Sequence, residues 1–126
     1  MRLTRALATV GAVLALACAS GGSASRNAHV DVKEGVRVAQ LGYWQEALFR
    51  FSRAHETVPD DEATLNNLAV AQEALGRYDD ALATYKLALK KAPKNAVIRK
   101  NYARVAEFFT SYARGAKPKG DDGATR

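Results

Sequence analysis

The sequence predicts an all-α fold, a right-handed stack of helical hairpins formed by about two repeats and one further C-terminal helix. Two observations carry this prediction. Gly, aromatic, Ala and Pro residues recur 34 positions apart, as Pro59 and Pro93 do. Apolar residues of the last segment also fall on one face of a helix. With 126 residues in all, the chain has room for one small domain. The predicted organisation is an export signal over 1–17, a flexible linker over 18–27, repeats over 28–61 and 62–95, a cap helix over 96–114 and a disordered tail over 115–126.

The first residues are typical of a bacterial export signal. Two arginines precede the uncharged, apolar residues 6–19, which are too few to span a bilayer. Residues 14–18 read LALAC and resemble the lipobox of bacterial lipoproteins, which implies cleavage after residue 17 and lipidation of Cys18. This is the single cysteine of the chain. The alternative is an ordinary signal peptidase that cuts after the A-x-A-like residues 17–19 and leaves a soluble protein.

The lipobox also predicts where the protein resides. Several acyl chains on Cys18 would anchor it durably in a membrane. Residue 19 is Ala, not the Asp associated with inner-membrane retention in lipoproteins, so the resemblance implies an outer-membrane protein that faces the periplasm. Residues 20–27 are small and polar, which predicts a flexible linker between the anchor and the fold.

Each repeat is expected to be one helical hairpin. A Gly ends the first arm because it reaches the left-handed backbone conformation freely, and a Pro stops the second arm. Small Ala residues in the second arm let the two helices approach closely. The repeat positions are Gly42, Trp44, Ala47, Phe51, Ala54 and Pro59, followed by Gly76, Tyr78, Ala81, Tyr85, Ala88 and Pro93. The predicted helices span about 29–41, 45–57, 62–75, 79–91 and 96–114.

This pattern, with Leu65, Leu68 and Ala69 in the preceding arm, resembles the tetratricopeptide repeat (TPR). The resemblance covers residues 28 to about 112 and implies a protein or peptide partner. The first unit departs from the family pattern, because Asp31 and Glu34 occupy positions where large apolar residues usually stand and no preceding helix could bury them. The final unit has Thr110 where a turn Gly would fall, which predicts a capping helix with no second arm.

No constellation of residues predicts catalysis, a metal site or a cofactor. His29 and His55 are the two histidines, and neither has a Cys or His at metal-ligand spacing, so both are expected to be exposed helical residues. Asp60 or Asp61, Asp79 and Asn95 stand near helix starts, where they would cap the helix or offset its dipole. The net charge is +6, and without Arg2 and Arg5 of the export signal it is 17 minus 13, or +4, which is only mildly basic. Together with the export signal, this charge disfavours a nucleic-acid partner.

The first arms of successive hairpins should line a groove. Its predicted partner-binding residues are Val32, Val36, Asn66, Val70, Glu73, Lys100, Arg104 and Phe108. The groove is apolar at one end and basic at the other, since no acidic residue lies between Asp80 and Glu107. This basic end is either a solvated cationic face or a site for an acidic peptide or an anionic envelope polymer.

Some TPR proteins grip a C-terminal carboxylate with Lys, Asn and Arg side chains. The matching positions here are Val32, Val36, Asn67, Val97 and Asn101, so that carboxylate clamp is absent. Asn67 is instead expected to form a structural hydrogen bond.

The last helix carries an apolar stripe that outruns the hairpin beneath it. The stripe consists of Ile98, Tyr102, Val105, Phe109 and Tyr112. Its early members should be core, whereas the later aromatics are either core as well or an interface with a partner or a second copy, which would make a homodimer. The sequence as a whole predicts a membrane-anchored adaptor or scaffold of the cell envelope, and not an enzyme.

Overall fold

The computed structural model describes residues 21–113, and this part of the chain contains five α-helices and no strand. The helices are α1 (Gly21–Gln40), α2 (Trp44–Thr57), α3 (Glu62–Ala74), α4 (Tyr78–Lys91) and α5 (Ala96–Ala113). α1 pairs with α2 and α3 pairs with α4, while α5 packs on the second hairpin. The all-α stack of helical hairpins is therefore confirmed. The predicted signal, Cys18 and the predicted tail lie outside the described residues.

Both hairpins turn at a glycine. Gly42 and Gly76 have φ angles of 82° and 75°, a region in which a Cβ atom is unfavourable. At the first turn, the N–H of Gly42 donates to the carbonyl of Ala39 at 2.9 Å and the N–H of Tyr43 donates to that of Val38 at 3.0 Å. The second turn repeats this hydrogen-bond pattern. The two bonds satisfy carbonyls that the helix end would leave unpaired, as in a Schellman motif.

Two polar side chains begin helices, as expected. Asp61 accepts a hydrogen bond from the backbone N–H of Thr64 at 2.8 Å at the start of α3. Asn95 accepts from the N–H groups of Val97 and Ile98 at 3.0 and 3.2 Å at the start of α5. Asp79 is not a cap, because α4 begins one residue before it. Its carboxylate lies in the first turn of α4 instead, where a negative charge offsets the helix dipole.

α1 already includes residues 21–28 and does not start only at about 29, so the prediction of a flexible linker is wrong for residues 21–27. The buried Ala28 marks where packing against the rest of the protein starts. Residues 21–27 contain no Pro, and extending an existing helix is far easier than nucleating a new one. Arg26 also donates from Nε to the carbonyl oxygen of Gly22 at 3.0 Å, which ties this segment together.

The core has two parts. The first hairpin buries Val38, Ala47 and Phe51 against Leu68 and Ala71 of α3. The second part is larger and joins three helices around the fully buried ring of Tyr85. Its buried residues are Leu65, Ala69, Ala81, Tyr85, Ala88, Ile98 and Val105. The alanines at the repeat positions are completely inaccessible, which is what close approach of paired helices requires.

α1 approaches α2 closely at Gly35. A Cβ atom built there would lie 2.6 Å from Cε1 and 2.9 Å from Cδ1 of Phe51. In the second hairpin, Ala69 stands at the matching position and is accommodated in the core. The first hairpin is therefore packed more tightly against its aromatic residue than the second.

Asp31 is buried, although within residues 21–113 no helix precedes α1 in the stack. Its carboxylate lies 3.4 Å from Nη1 of Arg50 and 3.3 Å from Nη2 of Arg53, and only 4% of the residue is exposed. Both arginines belong to α2, so the partner arm provides the cover that a preceding helix would have given. Glu34 stays nearer the solvent and pairs with Arg37, whose hydrogen bond lowers the pKa of the Glu34 carboxyl.

α5 runs straight through the position of the missing turn. Thr110 stands where Gly42 and Gly76 end the earlier first arms, yet it is helical and its hydroxyl donates to the carbonyl of Ala106 at 2.7 Å. A Thr side chain makes the left-handed conformation costly, so the helix continues to Ala113.

Candidate ligand-binding groove

An apolar cavity of ≈ 360 Å³ opens between the first hairpin and α3. We call it the Trp44 subsite. Its lining residues are Val36, Ala39, Gln40, Trp44, Phe51, Asn67 and Val70. None of them is charged, and the polar lining groups are the side-chain amides of Gln40 and Asn67. The cavity can therefore take up an apolar side chain and offer hydrogen bonds to a neighbouring backbone.

A second cavity, of ≈ 330 Å³, lies one repeat further along the stack. We call it the Tyr78 subsite, and it is lined by Glu73, Tyr78, Arg104, Val105 and Phe108. Three of its residues stand 34 positions after residues of the Trp44 subsite. These pairs are Ala39 with Glu73, Trp44 with Tyr78, and Val70 with Arg104. The two cavities are thus the same site in successive repeats, with different side chains.

In the Tyr78 subsite, two aromatic rings of the same chain pack on each other. The ring of Phe108 packs on that of Tyr78, with centroids 5.0 Å apart and planes inclined at 48°. Beside the rings, Arg104 forms a two-point ion pair with Glu73, of which Nη2 to Oε2 measures 3.0 Å. The hydrogen bond to Glu73 raises the pKa of the Arg104 guanidinium. One repeat earlier, Ala74 stands at the sequence position that matches Phe108, and it offers no ring to pack on the indole of Trp44.

Glu73 also accepts a hydrogen bond from a core residue. The hydroxyl of Tyr85 donates to its Oε2 at 3.3 Å. Burial, followed by the negative charge of Glu73, raises the pKa of the Tyr85 phenol well above its usual range. The carboxylate of Glu73 therefore joins a core residue to a groove residue, and this holds Arg104 against α3.

The predicted groove residues fall into two groups. Val36 and Val70 line the Trp44 subsite, and Glu73, Arg104 and Phe108 line the Tyr78 subsite. The remaining three lie outside both cavities. Val32 is half-buried, Asn66 accepts a hydrogen bond from Asn101 at 3.1 Å, and Lys100 is exposed.

The basic end of the groove carries less free charge than the sequence indicated. Arg104 is neutralised by Glu73, from the neighbouring helix, because the two helices bring residues far apart in sequence into contact. Lys100 has no acidic partner within residues 21–113 and is the groove cation that remains available there. Of the two cations predicted to line the groove, Lys100 and Arg104, one therefore stays unpaired within residues 21–113.

Sequence reasoning treated Trp44 and Phe51 as structural residues and missed that they also line a cavity. It also expected Asn67 to make a structural hydrogen bond. In the structure, Asn67 faces the cavity, and its amide bonds to no other residue of the described chain. The signal that could have found the uncovered indole is the repeat itself, since Ala74 and Phe108 share one register and only Phe108 carries a ring.

The stripe on α5 divides into buried and exposed parts. Ile98 and Val105 are buried, and Tyr102 and Phe109 are half-buried. Tyr112 is 72% exposed and stacks on Phe108, with centroids 6.3 Å apart. The core role of the early members holds in the structure, while the last ring is presented to the solvent.

No catalytic arrangement is visible in the part of the chain that the structure covers. Between residues 21 and 113, no group of His, Cys, Asp and Glu side chains could hold a metal ion. His29 is exposed as expected, but His55 is half-buried and its Nδ1 is inaccessible and unpaired within this part of the chain. None of the helices from Gly21 to Ala113 is both long and apolar enough to cross a membrane.

These features define a helical-hairpin repeat protein with a side-chain-lined groove along its first arms. A family model described as Tetratricopeptide repeat matches residues 39–105, more than half of the chain. The chain therefore belongs to the TPR family, whose repeats form protein-interaction modules. No curated protein matches it significantly.

Proposed function

We propose that this protein is a lipid-anchored adaptor of the bacterial cell envelope that binds a protein or peptide through the groove along α1, α3 and α5. The open, uncharged Trp44 subsite is the observation that carries the proposal. An apolar cavity with two side-chain amides suits a peptide, whose side chain fills the cavity while its backbone bonds to the amides. No catalytic role is proposed.

The anchor is proposed to be lipid on Cys18, with the protein in the outer membrane and facing the periplasm. The residues that support this are the short apolar run 6–19 and the LALAC sequence that ends at Cys18. Residues 21–27 belong to α1, so they would place about 10 Å of helix between the anchor and the packed domain, at 1.5 Å of rise per residue.

Replacing Cys18 by Ala tests the anchor. We expect the variant to accumulate as an unprocessed or mislocalised precursor, because the lipid is attached through the thiol. Intact mass spectrometry of the native protein should show an N-terminal acylated Cys18. An unmodified N-terminus at Ser20 would instead support the second candidate, a soluble periplasmic TPR module cut after residues 17–19.

Replacing Val36 by Glu tests the groove. Val36 is 38% exposed and lines the Trp44 subsite, so the variant should fold but place a charge in the apolar cavity. The matched control is Val30→Glu, since Val30 is on the same helix, is 64% exposed and lies outside the subsite. We expect in-cell cross-linking to envelope proteins, identified by mass spectrometry, to be lost for Val36→Glu and retained for Val30→Glu. Equal cross-linking by both variants would contradict a partner site in this groove.

A further inference from the structure

We propose that the Trp44 subsite takes an aromatic side chain from its partner, and that a carboxylate about three residues from that side chain pairs with Lys100. This inference rests on the proposed function and specifies the peptide. The occupant is thus a peptide with one aromatic residue and one acidic residue nearby.

A pair of aromatic rings elsewhere in the chain shows how the partner's aromatic residue would pack in the Trp44 subsite. In the Tyr78 subsite, the aromatic ring that begins the second arm is covered by Phe108, at a centroid distance of 5.0 Å. The Trp44 subsite has the same repeat geometry, but Ala74 stands there in place of Phe108, so this position supplies no ring to pack on Trp44. A ring supplied by a partner would restore on Trp44 the contact that Phe108 makes on Tyr78. Aromatic pairs at this distance are favourable beyond the area they bury.

The rest of the cavity suits a peptide around such a ring. Val36 and Val70 form apolar walls, so a charged side chain would lose its hydration without gaining a counter-ion. Asn67 faces the cavity, with an amide that is not hydrogen-bonded to any part of residues 21–113. One amide can both donate to and accept from a peptide backbone.

The acidic residue follows from the charge on the neighbouring helix. Asn66 and Asn101 hydrogen bond at 3.1 Å, so α3 and α5 run side by side. Arg104 is neutralised by Glu73, whereas Lys100 is exposed and without an acidic partner in the described chain. Neighbouring helices lie about 8 to 10 Å apart, and an extended peptide advances about 3.3 Å per residue. A carboxylate three residues from the aromatic residue would therefore reach Lys100.

The chain's own C-terminal residues do not supply this occupant. Residues 114–126 contain no aromatic residue and no Leu, Ile, Val or Met. Within residues 21–113 the most exposed ring is that of Tyr112, at 72%. A second copy that inserts Tyr112 is thus the competing occupant, and the experiment must separate it from a peptide.

Trp44 is the single tryptophan of the chain, so its fluorescence reports on the subsite directly. The probe is a blocked seven-residue peptide of alanines with one phenylalanine and one aspartate three positions away, made in both orders. We expect one order to shift the Trp44 emission saturably. Changing its phenylalanine to alanine should weaken binding about tenfold or more, as for loss of a buried apolar side chain. Changing its aspartate to lysine should also weaken binding, and the remaining affinity should no longer fall with added salt.

Ala74→Phe should place a ring on Trp44, as Phe108 does on Tyr78 one repeat later, and so abolish the response. The matched control is Ala83→Phe, an exposed alanine on α4 outside both cavities, which should bind the peptide as the wild type does. Circular dichroism of both variants establishes that they are folded. An Ala74→Phe variant that still binds with wild-type affinity would overturn the proposal.

The other outcomes separate this inference from the proposed function. Equal binding of the phenylalanine and alanine peptides overturns the aromatic preference but leaves a peptide groove. If about 1 mM peptide produces no saturable shift of the Trp44 emission while Val36→Glu still loses its envelope cross-links, this inference is wrong and the proposed function stands. Analytical ultracentrifugation could instead detect a dimer in the wild type that is absent in Tyr112→Ala. If the Trp44 emission also differs between these two proteins, a second copy is the occupant. Absence of both peptide binding and Val36-dependent cross-links contradicts the proposed function as well.

Discussion

Replacing Gly35 by Ala is expected to destabilise the first hairpin, although Ala is the better helix former. The new Cβ atom would lie 2.6 Å from Cε1, 2.9 Å from Cδ1 and 3.1 Å from Cζ of Phe51. Two of these distances are well inside van der Waals contact, and the neighbour is a rigid ring with 2% exposure. The ring or the helix must therefore move.

The expected change in stability is a difference of two terms. Ala in place of Gly inside a helix is favourable by about 1 kcal/mol, whereas inserting a methyl group into a packed core costs about 1 to 3 kcal/mol. We therefore expect the free energy of unfolding to fall by up to about 2 kcal/mol. A change of 1 kcal/mol shifts the Tm of a domain of this size by about 4 to 8 °C.

Gly22→Ala is the matched control, because Gly22 lies on the same helix and a Cβ there would meet nothing within 4 Å. Thermal unfolding followed by circular dichroism should show a higher Tm for Gly22→Ala than for Gly35→Ala. The double variant Gly35→Ala, Phe51→Leu should lose less stability than the sum of the single changes, since the smaller side chain relieves the contact. The proposed packing of α1 on α2 is refuted if both glycine variants raise the Tm alike.

Two further predictions concern the turns and the core. Gly76→Ala should lower the free energy of unfolding by about 1 to 2 kcal/mol. The cause is backbone strain alone, since φ is 75° and nothing outside the adjoining backbone lies within 4 Å of the new Cβ. A urea unfolding curve of Gly76→Ala that matches that of the wild type would contradict this. The raised pKa of Tyr85 means that the unfolded phenol ionises first, near pH 10, so the folded state loses stability as the pH rises above that value. Tyr85→Phe should remove this part of the alkaline loss, and an unchanged slope of Tm against pH between the two proteins would count against it.

The helix boundaries of the repeats could be predicted because they depend on local residues. Gly76 ends α3 through its own backbone freedom, and Pro93 stops α4 because it lacks an N–H group. Asp61 and Asn95 begin helices through bonds to residues two or three positions away. Such signals need no knowledge of the fold, and the predicted bounds of α2, α3 and α4 lie within one residue of those observed.

The start of α1 could not be predicted in this way. Residues 21–27 are small and polar, a composition shared by linkers and by exposed helix ends. Their helical state depends on a packed helix that begins near Ala28 and can be extended at little cost. The composition by itself does not distinguish these two outcomes.

The sequence by itself determined that the chain is a stack of helical hairpins, because a repeated Gly, Ala and Pro pattern specifies turns and close helix contacts locally. Only the tertiary structure decided which polar residues are buried and which charges are free. Asp31 is covered by Arg50 and Arg53 of the opposite arm, and Arg104 is neutralised by Glu73 of a neighbouring helix. It also decided that Trp44 borders an open cavity. These outcomes depend on side chains brought together by helix packing across long stretches of sequence, and on the volume each of them fills.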